Sequence, residues 1–147
     1  MIRIQKLNHR SFELFAELSR ELDCVGDTIK AERILKKVLQ ALRNYMPLDC
    51  SIEIVSVLPP HLKSLYHDEW KISQAKDWFS FSFYEELKKA DAHYGQRDFH
   101  DNGKAVELTK KTLKVIYRSI PDQKSYVLNQ WLPEELKIDT NELLIAC

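Results

Sequence analysis

Five side chains in one short stretch, Asp91, His93, Asp98, His100 and Asp101, combine imidazole and carboxylate groups, the donor set that zinc, manganese or iron takes from a protein. A metal held there could activate water, and together with the doublet His67-Asp68 it would suit a metal-dependent hydrolase. Against this, the residues fall at a helix end and in the loop that follows, where polar side chains gather because such loops face water. The expectation is a solvated loop, with the metal reading as the alternative. His67-Asp68 and His100-Asp101 are reminiscent of helical phosphohydrolases, but a doublet needs further His and Asp ligands in order, and His9, His61 and His93 supply none.

Other chemistry finds less support. There is no Gly-x-Ser-x-Gly elbow, and three glycines cannot build a phosphate-cradling loop or a dinucleotide fingerprint. Cys24, Cys50 and Cys147 are odd in number and far apart, unlike zinc or disulfide frameworks, and read as thiols. The sequence therefore yields no catalytic residue and no cofactor.

Basic residues recur on two long helical stretches, Arg33, Lys36, Lys37 and Arg43 on one and Lys104, Lys110, Lys111, Lys114 and Arg118 on the other. Such stripes could grip phosphates, which makes a weak nucleic-acid binder a further alternative. However, 22 basic and 22 acidic residues leave no net charge, and the outer faces of amphipathic helices look the same. We read both stripes as solvated faces. No apolar run is long enough to cross a membrane and the start lacks a signal-peptide core, so the expected location is cytoplasmic.

The elements that must position these residues are helices. Glycines and prolines are few and sit where helices should end. Ser11 can cap a first helix burying Phe12, Phe15, Leu18 and Leu22, ended by Gly26 in a left-handed turn. Asp27 or Thr28 can cap a second carrying Ile34, Leu35, Val38, Leu39 and Leu42 on one face, closed by Pro47. Asp49 or Ser51 can cap a third with Ile52, Ile54, Val55 and Leu58, and Pro59-Pro60 introduces a short fourth.

The order then recurs. With five extra residues after Gly95, Ile34 to Lys63 aligns without a gap on Leu108 to Lys137, and nine of the thirty positions are identical, including Lys37 with Lys111, Pro47 with Pro121 and Leu58-Pro59 with Leu132-Pro133. Chance would give about two or three, so the chain reads as two tandem repeats of about four helical segments each. The expected fold is all-α: one domain, 1–147, forming a pseudo-symmetric helical bundle. Its parts are repeat 1 at about 11–66, an aromatic linker at 67–79, repeat 2 at about 80–138 and a tail at 139–147.

The long amphipathic helix, the proline turn and the paired Leu-Pro-x-x-Leu-Lys resemble the bacterial family called domain of unknown function 2267 (DUF2267), and the two copies carry that resemblance over nearly the whole chain. It implies a helical intracellular protein and brings no established activity.

The linker and the start of the second copy crowd Tyr66, Trp70, Trp78, Phe79, Phe81, Phe83 and Tyr84 together. So many rings predict burial at the seam between the copies, with Tyr66, Trp70, Trp78 and Phe79 as the alternative interaction surface. The leading functional reading is accordingly a non-enzymatic helical module that binds an unknown protein partner or itself.

Overall fold

The computed structural model describes residues 13–94, 96–99 and 101–137. Among them the regular structure is entirely helical. A first helix, α1, runs from 13 to 21. It is followed by α2 (Thr28–Tyr45), α3 (Leu48–Val57), α4 (Pro60–His67), α5 (Phe83–Tyr94), α6 (Asn102–Ser119) and α7 (Tyr126–Gln130), with single 3-10 turns at Ile72–Gln74 and Glu134–Leu136.

The two long helices begin alike. Asp27 accepts the Lys30 N–H at 2.9 Å to cap α2, and Asp101 accepts those of Gly103 and Lys104 at 2.9 and 3.2 Å to cap α6. Each cap satisfies amides that the helix itself cannot pair. α3 starts two residues earlier than a cap at Asp49 implies and four earlier than one at Ser51, at Leu48 behind Pro47 and with no side-chain cap. Proline lacks an N–H and its φ suits the entry to a helix, which makes a polar cap dispensable there. Pro59 and Pro133 stand at the N-cap positions of α4 and of the second 3-10 turn.

α1 ends earlier than Gly26. Asp23, at φ 57°, makes the first left-handed turn and Gly26, at φ 88°, the second, while Cys24 donates its N–H back to the Ser19 carbonyl at 2.8 Å. Ser11 and Phe12 lie outside the described residues.

The core gathers Leu18 of α1, Ile34, Val38, Leu39 and Leu42 of α2, and Leu113, Ile116 and Ile120 at and beyond α6, all buried, as the apolar spacing predicts. Ile52 is the exception among the predicted α3 residues: it points outward, and Ile54 takes the inner face. α2 is buried on nearly every side and packs most extensively along α5. Ion pairs from Arg118 to Glu17 and Glu21, and from Lys111 to Asp23, fasten α6 to α1.

The linker is stitched to the α2–α3 corner. Ser80 donates its N–H to the Tyr45 carbonyl at 2.7 Å and its hydroxyl to that of Asn44 at 2.9 Å, and Leu48 donates its N–H to the Lys76 carbonyl at 3.0 Å. The two bonds from Ser80 pair carbonyls left open at the end of α2, and that from Leu48 satisfies an amide at the start of α3. Because the backbone of 76–80 turns toward the protein, several rings turn away, which corrects the expected burial of the aromatic run. Tyr66 and Phe83 are buried and Trp70 and Tyr84 half-buried, but Trp78, Phe79 and Phe81 are 66%, 40% and 99% exposed.

Candidate functional site: the polar seam of α2

Arg33, Lys36, Lys37, Gln40 and Arg43 fall at three- and four-residue spacing and so form one ridge along α2. This ridge faces inward, toward α5 and the linker, contrary to the solvated face expected of it. Lys37 is wholly buried and Arg43 nearly so. The reversal has a physical cause: carboxylates and carbonyls far along the chain meet the ridge and compensate the burial of its charges.

Lys37 places its Nζ 2.7 Å from Asp91 Oδ1 and 2.7 Å from Asp98 Oδ2. Arg33 grips Asp98 as a fork, donating from Nε to Oδ2 and from Nη2 to Oδ1 at 2.9 Å each. Two cations thus face two carboxylates, and Asp91 adds a second role by accepting the backbone N–H groups of Asp98 and Phe99 at 2.8 and 3.1 Å. Burial alone would raise the Asp98 carboxyl, but the hydrogen bonds and charges of Arg33 and Lys37 hold it below its ordinary range. The bond to Asp98 likewise raises the Arg33 guanidinium.

The network pins a strained loop. Gln96 and Arg97 adopt φ of 72° and 44°, a region that costs a residue with a side chain about 1 to 3 kcal/mol. Asp91 holds the chain immediately after them, and the ring of Phe99, fully buried, anchors its far end.

Further along the ridge, Lys36 pairs with Asp68, Gln40 donates to the Asp68 carbonyl at 2.9 Å, and Arg43 donates to the carbonyls of Tyr66 and Asp68 at 3.0 and 2.8 Å. The Arg43 guanidinium also lies 5.9 Å from the ring centre of Trp70, within cation–π range. Tyr66 is sealed beneath with its hydroxyl 2.7 Å from Ser51 Oγ, and burial drives its pKa up. Tyr66 therefore contributes to the interior and not to an interaction surface.

The structure disperses the proposed metal ligands. Asp91 and Asp98 engage Lys37 and Arg33, Asp101 caps α6, and His93 meets Glu69 at 3.1 Å on the surface; His100 lies outside the described residues. Asp91 is buried and Asp98 half-buried with its carboxylate covered, and both are ion-pair partners instead of members of a solvated loop. Among the described residues no group of three or more His, Cys, Asp or Glu side chains is placed to hold a metal. His67 packs against Trp70 at 5.2 Å, apart from the Asp91 network in the contacts it makes. Cys24 and Cys50 are free thiols whose pKa values burial raises.

Two clefts open from the seam. One, of about 780 Å3, lies between α2, α5 and the linker beside Arg43, Trp70 and His93. The other, of about 360 Å3, is walled by Gln96, Arg97 and Asp98 of the pinned loop. What the sequence does not announce is the partnership of Lys37 with Asp91, since 54 residues separate them; the one available signal is the lysine's place beside Val38 and between the buried Ile34 and Ala41 one turn away on either side.

No helix among the described residues is long and apolar enough to cross a membrane. No curated protein matches the chain in sequence. The model of the uncharacterized conserved protein family DUF2267, however, matches residues 13–138, through both long helices and both Leu-Pro pairs, and the chain belongs to that family.

Proposed function

We propose that the protein is a non-enzymatic helical module, built of two copies of one unit, that associates with a second copy of itself through its aromatic face. We further propose that it acts in a bacterial cytoplasm. Supporting the duplication, the register of Ile34 with Leu108 extends back to the two caps, Asp27 and Asp101, and α2 and α6 have the same eighteen-residue length. Ion pairing crosses between the units: Lys37 reaches from α2 to the end of α5, and Lys111 from α6 to the turn after α1. Such an exchange of first helices suits a rough two-fold relation between the copies.

The observation that carries the functional reading is the exposure of Phe81, Trp78 and Phe79 side by side in sequence. Phe79 leans edge-on against Tyr45, with ring centres 5.4 Å apart, and lies 6.3 Å from Trp131, so it is anchored while the outer rings remain open. A zero net charge opposes no approach of like molecules. Rings of this size bury up to about 150 to 250 Å2 each, so three from each of two copies cover about 900 to 1,500 Å2 at most, and because Trp78 and Phe79 are only 66% and 40% exposed the interface falls at the low end, below the roughly 1,200 Å2 of stable complexes. The association is therefore weak and concentration-dependent.

Sedimentation velocity over a wide concentration range tests it. A shift toward dimer that Phe81→Ser and Trp78→Ser each abolish supports the reading. A monomer at every concentration, or a dimer indifferent to both substitutions, removes it.

A further inference from the structure

Asn102 and Gly103 open α6 directly behind the capping residue Asp101, and both are exposed. Of the five asparagines in the chain, Asn102 is the one followed by glycine. The pairing matters because the backbone nitrogen after an asparagine can attack its side-chain carbonyl. Glycine, with no Cβ, neither shields that nitrogen nor restricts the rotation that brings it round. Asn44 is exposed as well, but Tyr45 follows it, and Gln130 follows the half-buried Asn129. The two capped long helices differ at this point, since behind Asp27 α2 begins with Thr28 and Ile29.

From this arrangement we infer that Asn102–Gly103 is a site of spontaneous deamidation that the Asp101 cap holds shut. In the reaction the Gly103 nitrogen bonds to Asn102 Cγ and closes a succinimide ring. The Cγ–Nδ2 bond breaks, and its nitrogen leaves as ammonia with the proton that Gly103 gives up. Water then opens the ring at one of its two carbonyls, yielding aspartate or isoaspartate. In the folded chain that proton is engaged, because Gly103 donates its N–H to Asp101 Oδ1 at 2.9 Å. An amide so near the start of a helix has no intrahelical partner, so this carboxylate is what holds it. The Asp101 carbonyl fixes the same turn by accepting the Ala105 N–H at 2.8 Å. Attack therefore waits for the first turn to fray, an opening that helix ends undergo far more readily than the whole chain unfolds.

The two products act differently on α6. Aspartate places a negative charge where the helix dipole favours it. Isoaspartate inserts a carbon into the backbone between positions 102 and 103. It thereby displaces the Gly103 and Lys104 amides from Asp101 Oδ1, which they meet at 2.9 and 3.2 Å, and leaves the start of α6 uncapped. Hydrolysis of the amide is not reversed, so the product accumulates with the age of the molecule, and no residue of the aromatic face takes part.

Incubation of the full chain in mildly alkaline buffer, followed by peptide mapping with mass spectrometry, provides the test. Conversion of side-chain amide to carboxyl should appear at Asn102 ahead of Asn44 and Asn129, and more slowly in the folded parent than in the same chain in urea. Asp101→Ala should speed it about fivefold, the rise in frayed population that loss of a typical cap gives. Asp101→Ser keeps a capping oxygen and should react close to the parent's rate. Circular dichroism shows whether Asp101→Ala folds; should it not, the comparison of folded parent with urea-unfolded parent decides. Equal rates in those two states overturn the inference. So does a folded Asp101→Ala that reacts no faster than the parent, an Asp101→Ser that reacts as fast as Asp101→Ala, or modification that reaches Asn44 or Asn129 first.

Discussion

Lys37 Nζ donates to Asp91 Oδ1 at 2.7 Å in the interior, whereas Lys111, the lysine that aligns with it in sequence 74 residues on, meets Asp23 at 3.5 Å on the surface. The two aligned lysines thus do unequal work. Removing one partner of a buried pair strands a charge, which costs roughly 3 to 5 kcal/mol, while exposed pairs contribute at most about 1 kcal/mol. Lys37→Met should therefore lower stability by several kcal/mol and Lys111→Met by less than about 1 kcal/mol in urea unfolding. Equal losses would mean that Lys37 is not buried with its carboxylates.

Two neighbouring phenylalanines should diverge as sharply. Phe83 is buried, and its truncation to Ala should cost about 3 to 5 kcal/mol. Phe81 is fully exposed, so Phe81→Ala should leave the melting temperature of the monomer within the scatter of surface changes, about 0.5 kcal/mol. Thermal melts of the two variants at low protein concentration measure the contrast.

Leu39 lies fully buried in the middle of α2. Leu39→Ala removes apolar surface and leaves a cavity, for which the expected loss is about 2 to 5 kcal/mol. An unchanged melting temperature would displace α2 from the core.

Asp98 gives the stability a pH dependence with a definite sign. Its carboxyl is held below the ordinary range in the folded chain, so the unfolded chain takes up the proton first as pH falls. The contribution is complete well above about pH 3.9, the ordinary aspartate value, and disappears as pH falls through the lower folded value. Denaturation midpoints should thus drop more steeply below about pH 4 in the parent than in Asp98→Asn, which begins lower at neutral pH. A parallel pair of curves would contradict the Arg33–Asp98–Lys37 network.

How much of this the sequence reveals depends on the range of the interaction involved. Asp27 as a cap, Pro59 as a helix start and the inward faces of α2 and α6 are local signals, visible as residue types at fixed spacing, whereas Asp101, read as a candidate metal ligand, proves to cap α6. The same spacing leaves open which polar residues turn inward. Lys36 and Lys37 are adjacent lysines, yet one lies partly at the surface and the other fully within, because only Lys37 points at α5 and the carboxylates that α5 and its loop deliver. The aromatic run misleads for the opposite reason: ring count argues for burial, but the backbone bonds of Ser80 and Lys76 decide which way the linker faces.

The fastening of α6 to α1 has a consequence for how the chain is made. Arg118 and Glu21 meet across 97 residues and Lys111 and Asp23 across 88, separations that are long for a helical protein. Contacts of this kind require a large loop to close before they reward the chain, so folding should be slow beside bundles in which each helix packs on the next. During synthesis at about 5 to 20 residues per second, α1 waits about 5 to 20 seconds for its partner to leave the ribosome. Over that interval the apolar face of α1 is a surface that nascent-chain chaperones can occupy.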